Sequence, residues 1–335
     1  MPVDYTSNPD LKTILPKNRW QGTPLDAKGN FVNHEFPFTP HFSDVSKWQR
    51  QTNPQKAEKK SSTWRLQPSR NQDWLTDNQD CIVWLGHSTF FFRLNGVTLL
   101  TDPVFESPSI LMKRYVDFPL DPTLLQGLDF VLLSHDHRDH LDKSSLQLLA
   151  KQNPNVKYLT GLKMETLVQQ FTGSKHIQTA GWYQQYEIGD APIEIYFLPA
   201  RHWSRRGLFD TNQRLWGAFV LKTTNTTIYF SGDTGYGSHL REAGAIFPEI
   251  DYAIIGIGAY KPEWFMSPAH ISPTDAAKAF NEMNAKHLIP MHYGTFDLSD
   301  EPLSEPPAIL RHLEKEGKIK GTLHLPKPGE AIYTK

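Results

Sequence analysis

A single cysteine, Cys81, serves the whole 335-residue chain. That scarcity excludes an intramolecular disulfide, a thiolate-bound zinc and an iron–sulfur cluster, each of which needs several thiols. Cys81 precedes the apolar run Ile82-Val83-Trp84-Leu85, where a small packed side chain is its expected role. Neither sign of charge is in excess: 35 Lys+Arg against 36 Asp+Glu leave a formal net charge of −1. No global basic field would gather a nucleic acid, so no nucleic-acid partner is expected. No apolar run approaches the roughly 20 residues a membrane helix requires. Residues 1–10 have neither the basic start nor the apolar core of a secretory signal. A soluble, cytoplasmic protein is expected, and peripheral attachment to a membrane remains compatible with that.

What is present is apolar enough for a sizeable core, with 39% hydrophobic and 12% aromatic residues. The chemistry concentrates in Ser134-His135-Asp136-His137-Arg138-Asp139-His140, directly after the apolar run Phe130-Val131-Leu132-Leu133. A continuous apolar run reads as a strand buried on both faces, which puts the polar cluster on the loop leaving it. Imidazoles and carboxylates crowded on one short loop would repel or go unsatisfied without a cation, so this is a metal site. His135 and His137 are two apart and can point the same way, giving one ion two ligands, while Asp139 and His140 face elsewhere and suit a second ion. The missing ligands are expected at the ends of later strand-like runs: His202 after 195–198, Asp233 after 227–230 and His292 after 287–290. Asp233 is the natural bridge, because its two oxygens can serve both ions.

With those residues in place, the chain resembles the metallo-β-lactamase fold hydrolases. Within that superfamily it is similar to the N-acylphosphatidylethanolamine-hydrolysing phospholipase D group. Trp84-Leu85-Gly86-His87-Ser88-Thr89, Leu100-Thr101-Asp102-Pro103, Arg201-His202-Trp203, Gly232-Asp233-Thr234-Gly235-Tyr236 and His292-Tyr293-Gly294-Thr295-Phe296 carry the resemblance over roughly residues 80–335. It implies His135, His137, His202 and Asp233 on one zinc ion, and Asp139, His140, Asp233 and His292 on the other. Manganese or iron would accept the same ligands. It further implies that Asp139 orients an attacking hydroxide bridging the two ions, and that His270, in Ala269-His270-Ile271-Ser272-Pro273, polarises substrate or protonates the leaving alkoxide. The mammalian-type pattern of the group carries an amide residue where Ala269 stands, which puts the head group, not the chemistry, in question.

The remaining candidates keep two readings each. Arg205 and Arg206 form either a guanidinium pair for a substrate phosphate or surface ion pairs. Tyr236, Tyr260 and Trp264 line a substrate pocket or pack in the core. His87 is structural or supports a ligand, and Asp102 suits an acceptor behind a ligating imidazole. The segment 107–115, with Ile110, Leu111, Lys113 and Arg114, either admits lipid near the metal mouth or packs on the core with its cations solvated.

Residues 1–80 hold eight scattered Trp and Phe rings: Trp20, Phe31, Phe36, Phe38, Phe42, Trp48, Trp64 and Trp74. They read as an arm that wraps the main domain of residues 81–335 rather than as a domain with its own core. Beyond it, strands are expected at 82–86, 88–94, 97–101, 130–134, 193–198, 216–221, 227–231 and 252–256. Helices are expected at 143–152, 163–171, 238–245, 273–283 and 307–316, the fourth with Ser272 as N-cap and Pro273 in its first turn. The pattern fits an α/β (α+β) αββα sandwich. The expected activity is hydrolysis of a phosphodiester such as an N-acyl phosphatidylethanolamine, with a lactonase or other acyl hydrolase as the alternative and a catalytically silent metal-binding scaffold as a third reading. The oligomeric state is not specified by the sequence.

Overall fold

The computed structural model describes residues 3–35, 38–110 and 112–334. The readings attached to Phe36 and Leu111, and to the side chain of Phe42, lie outside the described residues. Two sheets form the frame. The first has seven strands in the spatial order Ala331–Tyr333, Cys81–Gly86, Thr89–Leu94, Val97–Thr101, Phe130–Leu133, Lys157–Gly161 and Ile177–Ala180. The second has eight, in the order Thr322–Leu323, His287–Met291, Tyr252–Gly256, Thr227–Phe230, Ala218–Lys222, Glu194–Leu198, Gln184–Gln185 and Lys12–Thr13.

The strand Cys81–Gly86 shows why the central strands are apolar at every position. Ile82 and Trp84 point into the core between the sheets, while Val83 and Leu85 face the other way, against Leu146, Leu149 and Val168 of the helices Lys143–Gln152 and Glu165–Thr172. Both faces are covered, so alternation along the strand sorts residues between two apolar environments. On the outer side of the second sheet, Leu240 of helix Ser238–Ile246 and Phe280 of helix Pro273–Met283 join the inter-sheet cluster's residues in one continuous core. The layer order is helices, sheet, sheet, helices, as expected.

Local signals set several boundaries as read. Ser272 Oγ accepts from Asp275 N at 3.1 Å, capping the helix that Pro273 begins. The second strand starts at Thr89 rather than residue 88, because His87, at φ 52°, turns the chain between strands. The expected helix at 163–171 runs Glu165–Thr172 and ends at Gly173, whose φ of 70° suits a glycine cap. Lys157–Gly161, Ile177–Ala180 and Ala331–Tyr333 are strands that the sequence pattern did not announce.

The N-terminal residues are built into the frame. Lys12–Thr13 pairs antiparallel with Gln184–Gln185 and forms the edge of the second sheet. Phe31 is fully buried, and Trp20 and Trp74 nearly so; Trp48 stacks on Phe265 at 5.3 Å.

Candidate metal centre

The expected ligands, with His87 and Asp102, all lie on segments beyond the C-terminal ends of strands. His87 follows Cys81–Gly86, Asp102 follows Val97–Thr101, residues 134–140 follow Phe130–Leu133, His202 comes after Glu194–Leu198, Asp233 after Thr227–Phe230 and His292 after His287–Met291. That edge is where an α/β sheet gathers side chains for a ligand. His87, Asp102 and His292 all have left-handed φ values, of 52°, 36° and 62°. Such backbone costs about 1–2 kcal/mol per residue and persists where the surroundings dictate it. Gly258 lets the chain at His292 come this close, since a Cβ there would stand 1.9 Å from the His292 carbonyl oxygen.

The seven side chains expected as ligands converge in two buried groups. In the first, His135 Nε2 lies 2.9 Å and His202 Nε2 3.1 Å from His137 Nδ1. The hydrogen bonds behind them fix the tautomers. Ser134 Oγ donates to Asp102 Oδ2 at 2.6 Å, so His135 Nδ1 must donate to Ser134 Oγ at 2.9 Å. His202 Nδ1 donates to the Ala269 carbonyl at 2.9 Å. Both Nε2 atoms therefore present lone pairs to one point. Burial holds His135 and His202 well below the usual histidine range, and lowers His137 as well, so all three are neutral. Converging neutral nitrogens without a proton to share are a cation site by their chemistry.

In the second group, His140 Nε2 and His292 Nε2 approach Asp233 Oδ2 at 3.3 and 3.1 Å, and each lies 3.7 Å from Asp139 Oδ2. Asp233 Oδ2 also stands 3.8 Å from His202 Nε2, so one carboxylate oxygen faces both groups. Burial alone would raise the Asp139 and Asp233 carboxyls, but the imidazoles around them hold both well below the usual carboxylate range. Against burial, the same carboxylates push His140 well above its ordinary value and His292 up to about 9. A proton held there plays the electrostatic part that a divalent cation plays, and the residues fit a cation in each group.

A supporting layer holds this arrangement. Asp102 accepts from His140 Nδ1 at 2.8 Å and from Ser134 N at 2.8 Å, which orients His140 and closes the loop. His87 Nε2 lies 3.0 Å from Asp139 Oδ2, and its ring nitrogens stand close enough to Asp139, His140 and His292 to share a cation with them. Asp136, the one carboxylate of the loop that faces away, is fully buried and accepts from Arg214 Nε at 2.6 Å and Arg205 N at 2.8 Å. Asn33 was not signalled by any motif, yet it exchanges two hydrogen bonds with the His202 backbone, at 2.8 and 3.1 Å. The N-terminal segment thus pins the strand end that presents His202.

His270 stands at the open side, with Nδ1 3.7 Å from Asp233 Oδ2. Burial lowers it to about 4, so it is neutral and offers an N–H as a hydrogen-bond donor rather than a stored proton. It also lines a cavity of about 290 Å³ with Tyr236, Tyr260, Arg201, Glu263 and Asp275. Arg205, expected beside substrate, does not line this cavity. Its guanidinium donates to the carbonyls of Gly207 and Leu208, and Arg206 donates to those of Asp136 and Leu141. The cationic side chain on the cavity is Arg201, one residue before His202, whose Nη1 donates to Tyr236 O at 2.8 Å. Its signal was its place in the Arg201-His202-Trp203 motif. In the 107–115 segment, Arg114 is not solvated either: it donates to the carbonyls of Leu85, Val104 and Val116.

The sequence profile of the Beta-lactamase superfamily domain matches residues 98–293. N-acyl-phosphatidylethanolamine-hydrolyzing phospholipase D 1 of Caenorhabditis elegans is 34% identical over 244 residues, which are 69% of this chain and 68% of that protein. The mitochondrial N-acyl-phosphatidylethanolamine-hydrolyzing phospholipase D of Saccharomyces cerevisiae is 33% identical over 259 residues, 74% of this chain, which spans only about half (54%) of the yeast protein. Among solved structures, the metallo hydrolase Igni18 of Ignicoccus hospitalis superposes with a TM-score of 0.58 at 18% identity, over 77% of this chain and 99% of that one. That last likeness is one of fold.

Proposed function

The chain belongs to the β-lactamase superfamily and is a metal-dependent hydrolase of the metallo-β-lactamase fold; on that premise we propose that it is a dizinc phosphodiesterase of phospholipase D type, acting on phospholipids. The observation that carries this reading is Asp233 Oδ2, which faces His202 of one ligand group and His140 and His292 of the other, next to a cavity bearing Arg201. Bound in the two groups, divalent cations would draw off charge from a diester's non-bridging oxygens and acidify a water molecule.

The protein's own residues supply the rest. Asp139, steadied by His87, keeps an oxygen turned toward the centre to accept a proton from the attacking water. Arg201 offers charge-assisted hydrogen bonds to phosphate, a donor that a neutral lactone would not need. His270 donates its N–H to the departing oxygen. The water oxygen bonds to phosphorus, the bond from phosphorus to the alcohol oxygen breaks, and the alcohol leaves with the proton that Asp139 took from the water while a phosphate monoester remains. The relatives' names bring N-acyl phosphatidylethanolamine as the first lipid to assay.

Docking on a lipid surface belongs to the same reading. Ile110 is wholly exposed, and Phe209 and Leu208 are 91% and 73% exposed. They sit on loops tied to the centre: Tyr115 N donates to Thr295 O beyond Ile110, and Arg205 N donates to Asp136 before Leu208. No helix among the described residues is long and apolar enough to cross a membrane, so contact would be peripheral.

The test is a chelator-stripped preparation reloaded with zinc and assayed on bis(p-nitrophenyl) phosphate, N-acyl phosphatidylethanolamine and lactones. Turnover of diesters that returns with about two zinc ions per chain is expected. A fully loaded protein that hydrolyses lactones and leaves diesters intact would establish the acyl-hydrolase reading instead.

A further inference from the structure

We propose that the N-terminal arm is a working part of the metal centre: Asn33 is a positioning residue for His202, and retention of the first group's cation depends on it. The proposal rests on the two-ion part of the reading above and not on its substrate.

His202 lies beyond the strand Glu194–Leu198, so its backbone N–H and carbonyl fall outside the ladder with Ala218–Lys222. Peptide groups buried there need partners from elsewhere. The Asn33 side chain supplies both, with Oδ1 accepting from His202 N at 3.1 Å and Nδ2 donating to His202 O at 2.8 Å. A carboxamide carries the donor and the acceptor of a peptide group, so it closes on His202 as a neighbouring strand would. Asn33 is 5% exposed and His202 1%, and water does not compete for these bonds.

The arm also holds the chain just past His202. Phe31, fully buried, donates its N–H to Asn212 O at 2.8 Å. Asn212 N donates to Ser204 O at 2.8 Å, and Asn212 Oδ1 accepts from Ser204 N at 3.2 Å. The arm is itself fastened to the second sheet by the pairing of Lys12–Thr13 with Gln184–Gln185. Thr23 Oγ1 adds a bond, accepting from Trp182 N at 2.9 Å.

The second ligand group is held by residues of the main domain. Asp102 orients His140, His87 approaches Asp139, and the His87 carbonyl accepts from His292 N at 3.1 Å. Within the first group, His135 and His137 share one loop, whereas His202 reaches them from a separate segment. A ligand carried in from another segment is only as well placed as the backbone that bears it. Loosening Asn33 therefore weakens one ion and spares the other.

The experiment measures zinc binding by the full chain, by competition with a chromogenic chelator. For Asn33→Ala we expect one of the two affinities to fall by about 10–100-fold, the usual effect of removing a group that supports a ligand. Imidazole nitrogen NMR identifies the ion: at limiting zinc the His202 ring should lose its zinc-bound shift while those of His140 and His292 keep theirs. Equal weakening of both ions, a loss centred on His140 and His292, or unaltered affinities would each overturn the proposal. Asn8→Ala, which frees the arm from the Thr179 carbonyl, 2.7 Å from Asn8 Nδ2, is the control. The same zinc loss there would reveal general destabilisation and count against Asn33. Should Asn33→Ala fail to fold, Asn33→Asp keeps the acceptor for His202 N, loses the donor to His202 O and must show the same selective loss. An unaltered protein that holds fewer than two zinc ions would instead remove the two-ion reading, and this proposal with it.

Discussion

Asp102 Oδ2 lies 2.8 Å from His140 Nδ1, both side chains fully buried, and so His140 must present its other nitrogen to Asp233. The same carboxylate takes Ser134 Oγ, which in turn orients His135. One aspartate, turned toward His140 Nδ1 and Ser134 Oγ, therefore orients an imidazole in each ligand group. Removing such a partner typically costs 10–100-fold in metal affinity.

Asp102→Asn keeps the shape but turns an acceptor into a donor opposite His140. Its zinc affinity, measured by competition with a chromogenic chelator, should fall by about 10–100-fold. An affinity equal to that of the unaltered protein would show that the ligand imidazoles orient themselves.

Arg214→Met should destabilise the fold more than an ordinary surface substitution. It leaves Asp136, which is 0% exposed, with a backbone N–H as its remaining hydrogen-bond partner. Breaking a buried ion pair costs about 3–5 kcal/mol, and partial exposure of Arg214 places the loss near about 3 kcal/mol. Urea unfolding measures it; an unshifted midpoint would mean that water readily replaces the guanidinium.

The paired change Ile110→Ser and Phe209→Ser should separate lipid docking from chemistry. Each exposed large apolar side chain contributes up to about 1.5–3 kcal/mol when buried. Hydrolysis of vesicle lipid should therefore drop by about tenfold or more, while a soluble chromogenic diester is cleaved at the original rate. A parallel fall in both assays would locate these loops in the folded core instead.

The metal loop was legible because its residues are neighbours in sequence and their chemistry has few other uses. The helix from Pro273 was equally legible, since Ser272 caps it within one turn. Other features depended on direction. Arg201 and Arg205 flank His202, and nothing local says which guanidinium faces the cavity; Arg205 folds onto its own loop, and Arg201 is held by Tyr236. Strand Ile177–Ala180 was missed because its sequence, Ile-Gln-Thr-Ala, has little apolar alternation, and pairing with Lys157–Gly161 makes it a strand.

By itself the sequence determined which side chains could meet a cation and the layer order, because residue type and short-range periodicity fix those. Only the tertiary structure decided the tautomers set by Asp102 and Ala269 and the contribution of Asn33 from 169 residues away. Those depend on distances between strand ends, and such distances exist only once both sheets have packed.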